Sequence, residues 1–179
     1  WWRLKYYYNT SAKQLDGWTY NRAAMEVLFR KGYPFEMYYL DQPESLKSIA
    51  DFKILLLPFA YSMSKDAIKE IEKAISKGVK VIVISQQGEV DEYGNKYPES
   101  ILNKLITQGK VDYLDCNLDK ISYSEFADKL SKNIDKNLGE FKPIYFENYG
   151  YDVEVVLRET KDGEKILLVL NWDKNKADI

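Results

Sequence analysis

The stretch Ile84-Ser85-Gln86-Gln87-Gly88 closes an apolar run and turns into polar residues. A strand that ends in a sharp, glycine-flanked turn is where many α/β enzymes expose a nucleophile. Such a turn needs Ser or Cys at its centre and a base within hydrogen-bond reach. Here the centre of the stretch reads as Gln86, with Ser85 beside it. The chain contains no histidine, so no imidazole of its own can act as base, shuttle or metal ligand. Ser85 is therefore expected to carry no alkoxide chemistry. Cys116, the only thiol, ends an apolar strand; it needs a cation or a helix N-terminus to become reactive, and reads as a buried structural residue. One cysteine also excludes an internal disulfide and a cysteine-based zinc site.

Other candidates are carboxylates and aromatics. Glu89, Asp91 and Glu92 have the spacing of a carboxylate pair for glycoside hydrolysis, yet they sit in the polar run 86–98 of a chain with 28 acidic residues. Solvated side chains are the default there, and a long loop of this kind also suits contact with a partner. Glu89, Asp91 and Tyr93 are taken as candidate interface residues. Trp1, Trp2, Trp18 and Tyr20 cluster early and read the same way. In open α/β sheets ligands bind at the carboxyl ends of the strands, which nominates Tyr61, Ser85, Gln86 and Gln87 as ligand contacts. The turn "NTSAKQLDG" lacks the G-x-G-x-x-G fingerprint, so no nucleotide cofactor is expected, and no metal either.

The elements that must position these residues follow from pattern. Strands are expected at 2–8, 35–40, 53–58, 79–84 and 111–116, the central ones as continuous apolar runs buried on both faces. Helices are expected over 18–31, capped by Asp16 and stopped at Gly32; after Pro43; from a Ser64 cap to Lys77-Gly78; after Pro98; and from a Ser122/Glu125 capping box. The alternation implies an α/β fold: a doubly wound, mostly parallel five-stranded sheet of flavodoxin-like type. Beyond residue 140 the style changes. "DVEVVLRET" and "EKILLVLNW" flank Lys161-Asp162-Gly163, a hairpin pattern. Two units are expected, 1–140 as the α/β domain and 141–179 as an antiparallel hairpin, either an edge addition or the start of a β domain.

At 179 residues, 45% hydrophobic and 30% charged, the chain suits a globular domain with a real core. No apolar run approaches the roughly 20 residues that span a bilayer, so no membrane partner is expected. A net charge of -2 with interspersed signs argues against nucleic acid. A single thiol leaves the compartment open, with the cytoplasm favoured over secretion. The ends, Trp1-Trp2 and "VLNWDKNKADI", read as cut from something longer, and abundant Lys, Glu, Ile and Tyr as a heat-adapted composition.

The segments "DGWTYNRAAMEVLFRKGYPFEMYYLD", "FKILLLPFAYSMSKDAIKEIEKAISKGVKVIVIS" and "GEVDEYGNKYP" together resemble a known domain. It is the glutamine-amidotransferase-like domain, called the β-galactosidase trimerisation domain, that follows the catalytic barrel in family 42 glycoside hydrolases. "DVEVVLRETKDGEKILLVLNW" looks like the start of the C-terminal β domain of such enzymes. The resemblance implies that catalysis belongs to two glutamates of a separate barrel, and that this domain lacks the Cys–His–Glu triad of its enzymatic relatives. It implies a non-catalytic accessory and oligomerisation domain, partnered by the barrel of its own or a neighbouring chain, in a trimer. The residues alone leave an alternative open, a free-standing module that binds carbohydrate or another small ligand. A Ser- or Cys-dependent hydrolase is disfavoured by the missing histidine.

Overall fold

The computed structural model describes residues 17–38, 49–139 and 153–171. Helix α1 (Gly17–Arg30) buries Tyr20, Ala23, Ala24 and Val27, spaced to fall on one face, and stops where Gly32 takes a left-handed φ of 66°. A 3-10 turn (Ile49–Asp51) leads to β1 (Ile54–Leu57) and β2 (Ala60–Ser62). Helix α2 (Lys65–Ser76) starts where Ser64 accepts the Ala67 N–H at 3.1 Å and buries Ala67, Ile68, Ile71 and Ala74. Then come β3 (Lys80–Ile84), β4 (Gln87–Val90), the short α3 (Asn103–Thr107), β5 (Asp112–Leu114) and α4 (Tyr123–Leu138). Ser122 caps α4 by accepting the Glu125 N–H at 3.1 Å, while the Glu125 carboxylate pairs with Lys129 at 2.9 Å. No described helix is long and apolar enough to cross a membrane.

The core sheet is parallel, in the order β1-β3-β5, with Ile54 opposite Lys80 and Ile84 opposite Leu114. Its middle strand is buried on both faces. Ile82 and Ile84 pack against α1 and against Phe126, Leu130 and Ile134 of α4. Val81 and Val83 point the other way, into Ile68 and Ile71 of α2 and Leu105 of α3. Helices thus cover both faces, and each fully buried Ile, Val, Leu or Phe contributes on the order of 1.5–3 kcal/mol.

The expected single five-stranded sheet is not what forms. Three strands make the core sheet, β2 and β4 make a separate parallel pair, and β5 is shorter than its 111–116 expectation. The expected first strand (2–8) and the Asp16 cap lie outside the described residues. Of the second (35–40), Phe35–Tyr38 are described and form no strand. Their aromatic rings pack through side chains instead: Phe35 edge-on to Phe29 at 4.8 Å and Tyr38 edge-on to Phe52 at 5.7 Å. Within the polar run 86–98, read as loop, Gln87–Val90 form β4. The reason lies at the ends of β1 and β3. Pro58 has no N–H to donate and Ser85 takes a left-handed turn, so the ladder breaks there and re-forms beyond as β2–β4, with Ala60 opposite Gln87 and Ser62 opposite Val90.

Strands β6 (Val153–Glu159) and β7 (Lys165–Asn171) pair antiparallel without interruption from Val153 opposite Asn171 to Glu159 opposite Lys165. The Gly163 N–H donates to Thr160 C=O at 3.0 Å, and Gly163 has φ 81°. That left-handed position is what the Asp-Gly pattern supplies. On β7, successive residues that alternate between faces are partly exposed: Ile166, Leu167, Leu168 and Leu170 are each between 45% and 49% exposed.

Candidate functional site at the carboxyl edge of the sheet

Ser85 lies where β3 leaves the sheet. Its φ is 67°, and it is the described non-glycine residue with positive φ. The Gln86 N–H reaches back to Ile84 C=O at 2.8 Å, closing a three-residue γ-turn of the uncommon, strained hand around Ser85. Two further bonds hold it: Ser85 N–H donates to Leu114 C=O at 3.1 Å, and the Tyr113 hydroxyl donates to Ser85 C=O at 2.8 Å. The centre of the elbow is therefore Ser85, not Gln86 as the sequence pattern suggested. β-Strand β4, rather than a helix, follows it.

The Ser85 hydroxyl donates to the phenol oxygen of Tyr20 at 3.3 Å. Tyr20 in turn donates to Cys116 C=O at 3.0 Å and accepts the Leu118 N–H at 3.3 Å. A neutral phenol that is itself a donor does not withdraw the serine proton. Tyr20 is only 3% exposed, so it ties α1 to the ends of β3 and β5; the interface role expected for it is corrected by its burial. Cys116 is buried, and burial pushes its thiol above the ordinary range, with Lys129 opposing weakly. Among the described residues no group of three or more His, Cys, Asp or Glu is placed to hold a metal ion.

Glu89, on β4, is half-buried. Its carboxylate accepts the Gln87 N–H at 3.0 Å, and the Gln86 carboxamide lies 3.0 and 3.2 Å from its two oxygens. Desolvation raises its pKa, against the lowering effect of the backbone donors. The next segment is pinned by Asp91. Its carboxylate accepts from the N–H groups of Tyr93 and Asn95 at 2.9 and 2.8 Å and from the Asn95 amide at 2.9 Å. These bonds, the Asn95 amide first, lower its pKa and keep it ionised. The Ser62 hydroxyl donates to Asp91 C=O at 2.9 Å, and Val90 bridges to Lys96. Tyr93 stands at the tip, 69% exposed.

Tyr61 belongs to an aromatic row on the α1 side of the edge. Tyr20 and Phe59 rings are 5.3 Å apart, and Phe59 and Tyr61 are stacked at 6.3 Å. Gly17 lies against Phe59, where an added Cβ would come within 3.0 Å of the ring, and Trp18 next to it is 69% exposed. The expected ligand residues thus do gather at one edge, but in two groups. Tyr61 joins the aromatic row, while Gln86 and Gln87 surround Glu89. Tyr113 was missed, because its link to Ser85 comes from the parallel register Val83 opposite Tyr113, which no local pattern announces. Trp1 and Trp2 lie outside the described residues.

No family model matches this sequence, and no curated protein does. The fold, however, has a counterpart among solved structures. It is part of the apo exo-carrageenase GH42 from Bacteroides ovatus, matched with a TM-score of 0.53 at 17% sequence identity. The match covers 88% of this chain and 20% of that one, so this chain spans about a fifth of the enzyme's length. At that identity the likeness is one of fold.

Proposed function

We propose that this chain is a non-catalytic accessory and oligomerisation domain of a β-galactosidase-like glycoside hydrolase. Residues 1–140 serve as the amidotransferase-like unit and 141–179 begin a β domain. The observation that carries this reading is the fold likeness over 88% of the chain to a fifth of a GH42 enzyme. Ser85 supports it: the residue keeps the positive φ of a nucleophile elbow, but a strand follows in place of the helix and its hydroxyl points to the Tyr20 phenol. Catalysis then belongs to a barrel of the same or a neighbouring chain, no cofactor is needed, and the assembly is a homotrimer. Trp18 and Tyr93 are the anchors best suited to the interface. Each is a large, exposed ring, and Tyr93 is held on a loop whose backbone is already ordered, so docking it costs little conformational entropy. Glu89 and Asp91 act behind that surface by shaping the turn and the loop.

Sedimentation equilibrium over a wide concentration range tests this. The expected result is a trimer, with Trp18→Ala and Tyr93→Ala each weakening association tenfold or more, about 1.4 kcal/mol. A chain that stays monomeric at every concentration, alone and mixed with a GH42-type barrel, contradicts it.

A further inference from the structure

The two faces of the C-terminal hairpin are unlike. Residues directly opposite each other in an antiparallel pair share a face. Glu154 is opposite Leu170, Val156 opposite Leu168 and Arg158 opposite Ile166, so these six positions lie on one face. The other face holds Val155 opposite Val169 and Leu157 opposite Leu167, all apolar. There Leu157 is 37% exposed, Leu167 47%, and Val169 is partly buried. On the first face Ile166, Leu168 and Leu170 are all between 45% and 49% exposed. The more open face is therefore the one that combines an apolar strip on β7 with charges of both signs on β6.

That face is complementary to itself. Glu154 and Arg158 stand two positions to either side of Val156 and carry opposite charges. Consider two copies stacked on this face, with a two-fold axis between them that crosses the strands at Val156 and Leu168. Glu154 of each copy then faces Arg158 of the other. The same axis lays Leu168 on Leu168, and Ile166 on Leu170 of the second copy. Packed sheets stand about 10 Å apart, a gap that a facing glutamate and arginine can bridge. With the strands of both copies running the same way, Glu154 would lie over leucine and Arg158 over isoleucine, each charge desolvated without a partner. The geometry points to a second copy of this chain as the occupant of the face, in an isologous contact where the β7 strips pack and two Glu154–Arg158 pairs border them. Few side chains take part, so the contact belongs with the small, weak interfaces, and the bordering charges set its register more than its strength. It does not rest on the accessory-domain reading; where that reading holds, the contact joins one trimer to another.

The test is sedimentation velocity of the full chain carrying Trp18→Ala and Tyr93→Ala, which removes the proposed trimer contact. Concentrations run up to about 1 mM, where weak contacts are populated. The expected result is a monomer–dimer equilibrium. Glu154→Arg and Arg158→Glu, added one at a time, each set like charges together at both pairs and weaken the dimer at least about tenfold. Mixed in equal amounts, the two charge variants regain the dimer, because every pair then joins an arginine to a glutamate. Both substitutions in one chain regain it as well. A chain that stays monomeric throughout overturns the contact, and the face is then covered by another part of its own polypeptide or by none. Association that ignores the charge substitutions, or that mixing does not restore, is unspecific apolar clustering and overturns it equally. The trimer is read in chains with unaltered hairpin charges through Trp18 and Tyr93, so the two readings fail separately.

Discussion

The three-stranded core sheet and the C-terminal hairpin are both regular, yet they are stabilised differently. In the core, β3 is covered on each face by a helical layer, and Phe126, Ile82 and Ile84 have no measurable exposure. In the hairpin, every position from Val153 to Glu159 is paired across to β7, but Ile166, Leu167, Leu168 and Leu170 remain nearly half exposed. Backbone pairing alone contributes little net free energy, because water offers the same hydrogen bonds to the open chain. A two-stranded hairpin needs packing against another element for stability, and here α1 approaches β6. The difference teaches that β7 has the composition of a strand buried on both faces yet is nearly half exposed, while α1 lies against its partner β6.

That contrast yields a ranked set of expectations. The largest concerns the core. Phe126→Ala is expected to cost about 3–5 kcal/mol, read as a lower denaturation midpoint at constant slope. Next comes Leu168→Ser on the hairpin, expected to change global stability by no more than about 0.5 kcal/mol while reducing binding of an apolar dye. A loss there as large as that of Phe126→Ala would break the comparison, since it would mean the hairpin is covered. The smallest effect concerns Glu89. Its native pKa is raised by desolvation, so the folded state holds that proton more tightly than the unfolded chain. The resulting stabilisation is fully present below the ordinary glutamate range and is lost as pH rises through the raised value. Thermal melts of Glu89→Gln against the unsubstituted chain are therefore expected to favour the variant progressively more as pH rises across that window, and then to level off. A constant difference across the window would remove the desolvation account.

Much of this architecture was readable from residue types. The Ser64 and Ser122 caps, the apolar runs of β1 and β3, and the Asp162-Gly163 turn each rest on chemistry within a few residues, and the structure places them as expected. The Pro98 helix is reduced to the short α3, because Ser100 to Leu102 close into turns against β4 first: Ile101 N–H donates to Gly88 C=O at 2.9 Å and Leu102 N–H to Gln87 C=O at 3.0 Å. What was hidden is long-range. Strand β4 reads "QGEV", with little β preference, and exists because β2 runs alongside it; Gly88 is needed there because a Cβ would meet the Ile101 side chain at 2.4 Å. Ser85 as the elbow centre, and Tyr20 as the group that occupies its hydroxyl, likewise depend on contacts across 65 residues of chain.

The central claim is that Ser85 keeps the positive φ of an elbow without nucleophilic chemistry. Its most direct test is to expose the chain to a serine-reactive fluorophosphonate and to a panel of aryl glycosides and aryl esters, with Ser85→Ala in parallel. The account predicts no labelling at Ser85 and no turnover above buffer, in both proteins alike. Labelling of Ser85, or turnover that disappears in Ser85→Ala, would contradict it.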